Sequence, residues 1–186
     1  MVLITQSGRE TLPIGKPGPD FRDLPGTDGR AYSLDSFNDA KAVVVNFTCN
    51  HCPYAQAYED RFIALAREYA PRGVAFVAIN PNDEVNYPDD SFENMKARAR
   101  AKGFPFPYLR DASQQVARAY GAVCTPHLFV LDAGRRLVYE GRMDDQWKDP
   151  AAAKSHDLRN ALDDVLAGRA VRAPNTNPMG CSIKWK

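Results

Sequence analysis

The chain has 186 residues, 44% apolar and 25% charged, with a formal net charge of +1. That length suits one compact domain with short appendages, placed at residues 1–170 with a tail at 171–186. A near-neutral balance gives no field to steer nucleic acid or a membrane surface toward the protein, and neither is expected as a partner.

The N-terminal "MVLITQSGRETLPIG" lacks the basic start and sustained apolar stretch of a secretory signal. No apolar run approaches spanning length, so a cytoplasmic location is expected, where thiols are kept reduced. Four cysteines in a chain this long are too few for a disulfide scaffold, so their chemistry needs explaining.

The opening "IGKPGPDFRDLPGTDGRAYSLDSF" reads as extended segments joined by turns, with Asp28-Gly29 as a hairpin turn. "AVVVNF", Ala42 to Phe47, is a β-branched run suited to a strand covered on both faces. Tyr54, Tyr58, Phe62, Leu65 and Tyr69 recur at helical spacing, and Pro71 and Gly73 end that helix. "VAFVAIN" is a second buried strand, which implies parallel pairing with the first through a crossover helix.

From Pro81 to Leu109 lies an insertion. In it Ser91 caps a helix to about Lys102, Gly103 ends it, and "FPFPYL" is extended. A short helix is predicted over Ala112–Tyr120, then two strands around an "AGR" turn in "HLFVLDAGRRLVYEG". A last helix is predicted over Ser155–Leu166. The fold expected is α/β: a central mixed sheet flanked by helices, with an N-terminal β-hairpin extension and an insertion after the second core strand.

"FTCNHCPY" joins the first strand to the first helix. Pro53 suits the first helical position, which makes Cys52 the N-cap, beside free N–H groups and the positive end of the helix dipole. Such surroundings bring a cysteine pKa from about 8.5 into the range of roughly 3.5–7.5, so Cys52 is the candidate nucleophile. Cys49 stands close enough to close a small disulfide ring. His51 between them either adds positive charge when protonated, favouring thiolate over disulfide, or faces solvent.

Zinc uses the same C-x-x-C spacing, but generally with a second pair. Cys124, Cys181, His127 and His156 are isolated, so no metal is expected. No Gly-rich dinucleotide fingerprint follows a strand, so no cofactor is expected either.

Four stretches together resemble the thioredoxin-like superfamily, and within it the peroxiredoxin-like proteins of the alkyl hydroperoxide reductase and thiol-specific antioxidant type. They are "GKPGPDF" with "YSLDSF", "VVVNFTCNHCPY", "AINPNDEVNYPDDSFENM" and "VCTPHLFVLD"; the "GCSIKWK" ending also looks like this subgroup. The resemblance implies a thioredoxin-like fold and a redox-active cysteine pair. It also implies a cis-proline at Thr125-Pro126, whose bend exposes an edge where a substrate backbone pairs beside the sulfurs.

Cys52-Pro53 fits the place of a peroxide-attacking cysteine. The threonine, proline and arginine of that family fall on Cys49, Val45 and Pro126. The resolving cysteine of thioredoxins falls on Ala55 if Cys52 attacks, and their buried aspartate falls on Asn46. Either Cys52 attacks and Cys49 resolves, or Cys49 leads in thioredoxin order.

Cys124 is read as a third thiol near the pair or as a small buried hydrophobe. Cys181 is read as a late resolving thiol, a partner for Cys124 or an exposed free cysteine, the last preferred. The acidic residues around "DDSFENM" are read as a solvated face.

The function expected is thiol-disulfide exchange through Cys49 and Cys52. Its substrates would be protein or small-molecule disulfides, and its electrons would come from a dithiol protein or small thiol. The alternatives are a thiol peroxidase with Cys52 as the peroxide-attacking cysteine, and a Cu or Zn carrier using Cys49 and Cys52, with or without Cys124.

Overall fold

The computed structural model describes the backbone of residues 2–4 and the whole of residues 12–186. The expectation drawn from "MVLITQSGRETLPIG" rests in large part on residues outside these. A short strand β1 (Val2–Ile4) is followed by a hairpin of β2 (Leu24–Pro25) and β3 (Ala31–Tyr32). The turn between them is the expected one. Gly29 takes a left-handed φ of 85°, and the Asp28 carboxylate accepts from Tyr32 Oη at 2.6 Å.

The central sheet uses β4 (Ala42–Phe47), β5 (Val74–Asn80), β6 (Tyr108–Arg110), β8 (His127–Asp132) and β9 (Leu137–Gly141), in the order β6-β5-β4-β8-β9. The β4–β5 and β5–β6 pairs are parallel, and the β4–β8 and β8–β9 pairs antiparallel. All six residues of β4 are buried, as its β-branched run requires of a central strand.

One face of the sheet packs Val43, Val45 and Phe47 with Phe129, Leu131 and Tyr120. The other packs Val44 with Tyr58, Phe62, Leu65, Leu158 and Leu162. The second set comes from helices α1 (Pro53–Tyr69) and α4 (Asp157–Leu166). The insertion supplies α2 (Phe92–Lys102), with Ser91 Oγ accepting from Asn94 N at 3.4 Å and Gly103 closing the helix at φ 60°. No helix among the described residues is long and apolar enough to cross a membrane.

Three expectations shift. The helix predicted over Ala112–Tyr120 is α3 (Gln115–Tyr120), because Asp111 and Ser113 side chains capture the N–H groups of Ala117 and Gln115 in a turn instead. The helix predicted from Ser155 starts at Asp157, whose carboxylate accepts from the Ser155 hydroxyl. Of "FPFPYL" only Tyr108 and Leu109 enter a strand, and Phe104 and Phe106 pack under α2.

The tail folds back onto the body. Strand β10 (Met179–Ser182) lies between β1 and a two-residue strand β7 (Cys124–Thr125), antiparallel to both. Ile183, 3% exposed, enters the core beside Phe47 and Phe129. The Lys184 N–H donates to Asn82 Oδ1 at 2.9 Å, and its carbonyl accepts from Asp83 N at 2.8 Å.

Candidate active site

Strand β4 ends at Phe47, and the chain crosses the mouth of the sheet before α1 begins at Pro53. Cys52 is the N-cap, with extended angles (φ −72°, ψ 121°) and Pro53 at the first helical position. Cys49 and Cys52 are both unbridged thiols, 2% and 0% exposed.

The residue before the cis Thr125-Pro126 bond holds both sulfurs. Thr125 Oγ1 lies 3.2 Å from Cys49 Sγ, and the Cys52 thiol donates to the Thr125 carbonyl at 3.0 Å. Thr125 thus faces the pair, and its bond to Pro126 is cis.

The two thiols titrate in opposite directions. Cys52 is lowered to about 5, first by the adjacent Cys49 thiol, against the cost of burial. The thiol of Cys181 and the N–H groups of Ala55 and Cys181 also favour the anion. The sulfur makes no full capping hydrogen bond, so the helix end acts on it chiefly through the field of its free N–H groups, Ala55 among them. The Thr125 carbonyl opposes the anion, since it accepts only from the neutral thiol. Cys49 is raised well above the ordinary thiol range by its bond to Cys52, by burial and by the charge of Asp90.

His51 is not a solvent-facing loop residue. Its Nδ1 lies 2.5 Å from Asp90 Oδ2, and its ring stacks on Tyr87 with centroids 5.6 Å apart. Of the acidic residues in "DDSFENM", Asp89 and Glu93 face solvent as expected, whereas Asp90 is fully buried, which corrects the reading at that position. Besides His51 it accepts from Asn50 N at 2.6 Å, Asn82 Nδ2 at 2.8 Å and Asn80 Nδ2 at 3.3 Å. These donors compensate a buried carboxylate that would otherwise be costly to desolvate. An insertion residue thus fixes the loop between the cysteines.

Cys49, His51 and Asp90 form the one group of metal-type ligands within 4.8 Å among the described residues. The carboxylate is already committed to four donors, so the trio is built as a hydrogen-bonded network rather than a coordination shell. Cys124 does not join the pair. Strand alternation turns it to the face opposite Thr125, where it is fully buried and its thiol donates to Pro126 O at 3.5 Å. His127 is paired with Glu140 at 3.2 Å.

Asn46 lies in β4 beneath the pair, buried, its Oδ1 without a partner among the described residues. With Cys49, Tyr58, Tyr108 and Pro126 it lines a cavity of about 20 Å³, room for one water but not for a substrate.

Cys181 is the residue the sequence undervalued. It is half-buried rather than exposed, and packs against Cys49, Cys52 and Ala55. Burial, and then the neighbouring Cys52, push its thiol up to about 11. Register places it opposite Thr125, so the edge predicted to receive a substrate backbone is taken by the chain's own tail. The signal was "MGCS": a glycine beside the cysteine allows close approach, since a Cβ at Gly180 would lie 2.1 Å from Thr125 O. Gly180→Ala is expected to force β10 off β7, destabilising the protein by about 1–3 kcal/mol and speeding alkylation of Cys52. Urea midpoints and iodoacetamide rates measure both, and unchanged values would contradict the tight docking.

A mixed sheet, a dithiol where the central strand meets the first helix, and a cis X-Pro bond facing it define a thioredoxin-like protein. The family model for AhpC/TSA matches residues 14–140, and the chain belongs to that family. It is 28% identical over 132 residues to the thiol-disulfide oxidoreductase ResA of Geobacillus thermodenitrificans, covering 69% of each chain. It superposes on an uncharacterized conserved protein from Geobacillus kaustophilus with a TM-score of 0.89 and 42% identity, over 96% of this chain and 95% of that one. Peroxidoxin BcpB from Mycobacterium tuberculosis shares the fold at a TM-score of 0.65 and 23% identity, over 84% of this chain and 97% of that one.

Proposed function

We propose that the protein is a thiol-disulfide oxidoreductase in which Cys52 attacks and Cys49 resolves. The observation that carries this reading is the placement of two free thiols at the start of the first helix, Cys52 as its N-cap and Cys49 three residues before it, both held by Thr125. Cys52 is brought to about 5 and Cys49 is pushed well up. A thiol ionised near neutrality attacks a disulfide and forms a mixed disulfide; the second thiol then attacks Cys52 Sγ, closes the ring and releases the substrate thiol. The ResA relative carries the same class of activity in its name.

Cys49 must lose its proton to resolve. Asn46, in the place of the thioredoxin aspartate, is an amide and accepts none. His51, oriented by Asp90 and with it within 4.8 Å of Cys49 Sγ, is the acceptor, directly or through one water.

Peroxide reduction is the second reading, because Cys52-Pro53 occupies the peroxide-attacking position and the chain belongs to the AhpC/TSA family. Against it, Pro126 supplies no cation where an arginine would polarise the peroxide, and Cys49 replaces the orienting threonine. Stopped-flow reaction of the reduced protein with a small disulfide and with hydrogen peroxide separates the two. The disulfide is expected to react faster; faster peroxide turnover would reverse the assignment.

A further inference from the structure

In the reduced protein Cys49 and Cys52 are 2% and 0% exposed beneath the tail, so a disulfide or thiol from outside reaches Cys52 only when β10 lifts from β7, whereas Cys181 is half-buried with the tail in place. Attack on a disulfide needs access to the sulfur being attacked. Cys181 has what the pair lacks: it is half-buried, in contact with the Cys49–Cys52 cluster on one side and reaching solvent on the other. It sits on β10, whose pairing sets it opposite Thr125, the residue whose carbonyl accepts from Cys52 Sγ. Gly180, with no side chain, lets the strand lie against Thr125 and Pro126. The tail therefore occupies the edge where an extended substrate would pair, and presents its own cysteine there.

Given the exchange between Cys49 and Cys52 proposed above, we propose that Cys181 is a third redox-active thiol. It forms an alternative disulfide with Cys52, and it is the sulfur at which an external thiol reduces the protein. The Cys181 thiolate attacks Cys52 Sγ of the Cys49–Cys52 disulfide. The Cys52–Cys181 bond forms, the Cys49–Cys52 bond breaks, and Cys49, the poorer leaving group of the pair, leaves with the electron pair; the step is drawn forward because Cys49, raised well above the ordinary thiol range, takes up the proton that Cys181 lost. No outside oxidant is needed.

An external thiolate then attacks Cys181 Sγ and expels the Cys52 thiolate. A second external thiol displaces the first from Cys181, leaving both cysteines reduced and one external disulfide formed. The direction follows from the leaving groups. The sulfur with the lower pKa departs faster, and Cys52, at about 5, departs far more readily than Cys181, at about 11. Attack thus falls on the accessible sulfur for two independent reasons.

The full chain is oxidised with stoichiometric hydroxyethyl disulfide, and its bridges are mapped by non-reducing proteolysis and mass spectrometry. Cys49→Ser is expected to yield a Cys52–Cys181 bridge. Oxidised Cys181→Ser is expected to be reduced by 2-mercaptoethanol at least about tenfold more slowly than wild type. A persistent Cys52 mixed disulfide in Cys49→Ser, or a wild-type reduction rate in Cys181→Ser, would overturn the proposal. The mapping arm leaves the tail unaltered, so it does not depend on a tail variant folding. A wild-type chain holding Cys52–Cys181 without any Cys49–Cys52 bridge supports the tail thiol while counting against the pair.

Discussion

Cys52→Ser is expected to abolish disulfide turnover and to remove the one thiol that alkylates near pH 6. In wild type that thiol should titrate near 5, the value to which its neighbours lower it. The largest of those influences is the Cys49 thiol, so Cys49→Ala should move the titration of Cys52 upward while Cys49→Ser, which keeps a donor, should move it less. Conversely, Cys52→Ser should bring Cys49 down, because its bond to Cys52 is the first cause of its raised value. Iodoacetamide rates against pH on the single variants measure all of this. A fast, low-pH thiol surviving in Cys52→Ser would transfer the nucleophile to Cys49.

The same titration has a stability consequence. A thiol whose folded pKa is depressed releases its proton earlier in the native state than in the unfolded chain. Its contribution is therefore absent below the folded value and grows as pH rises toward the unfolded one. Reduced wild type should gain stability over Cys52→Ser between pH 5 and 8, with a slope of at most about 1.4 kcal/mol per pH unit. Urea unfolding under reducing conditions reads the slope. A flat difference would mean that the anion is not held by the fold.

The parts of this site that rest on local chemistry were legible in the sequence. Pro53 after Cys52, ahead of an amphipathic run, favours a helix start, because the missing N–H leaves no hydrogen bond unmade at that position. The β-branched run of Ala42–Phe47 specifies a buried central strand, and the parallel pairing of Val74–Asn80 beside it follows from the helix between them.

What depends on distant partners was not legible. "MGCS" has no strand character; it becomes β10 because β7 and β1 each offer it a row of backbone partners. Asp90 sits in a run of polar residues that reads as surface. Its burial is decided by Asn50 from the cysteine loop and by Asn80 and Asn82 from the end of β5, whose roles no local pattern announces. The extension of α3 to Ala112 failed for a third reason: Asp111 and Ser113 offered the backbone an alternative that periodicity does not weigh.

Asp90→Asn is expected to be the most damaging substitution outside the cysteines, and its two effects run in opposite directions on the chemistry. The carboxylate is fully buried and takes Asn50 N, His51 Nδ1 and two asparagine amides. An amide offers one acceptor oxygen where the carboxylate offered two, and sets an NH2 against existing donors. Breaking a buried charged network of this kind costs about 3–5 kcal/mol, to be read as a lowered urea midpoint.

The lost negative charge is also a cause of the high value of Cys49, so in a Cys52→Ser background Asp90→Asn should lower the pH at which Cys49 alkylates. Easier ionisation alone would speed resolution, whereas loss of an oriented His51 would slow it. If His51 accepts the proton, the mixed disulfide at Cys52 should live longer in Asp90→Asn despite the more acidic Cys49. It should also live longer in His51→Gln, which keeps the carboxylate. Faster release in both variants would show that the carboxylate acts on Cys49 only as a repelling charge, and that the imidazole takes no part in resolution.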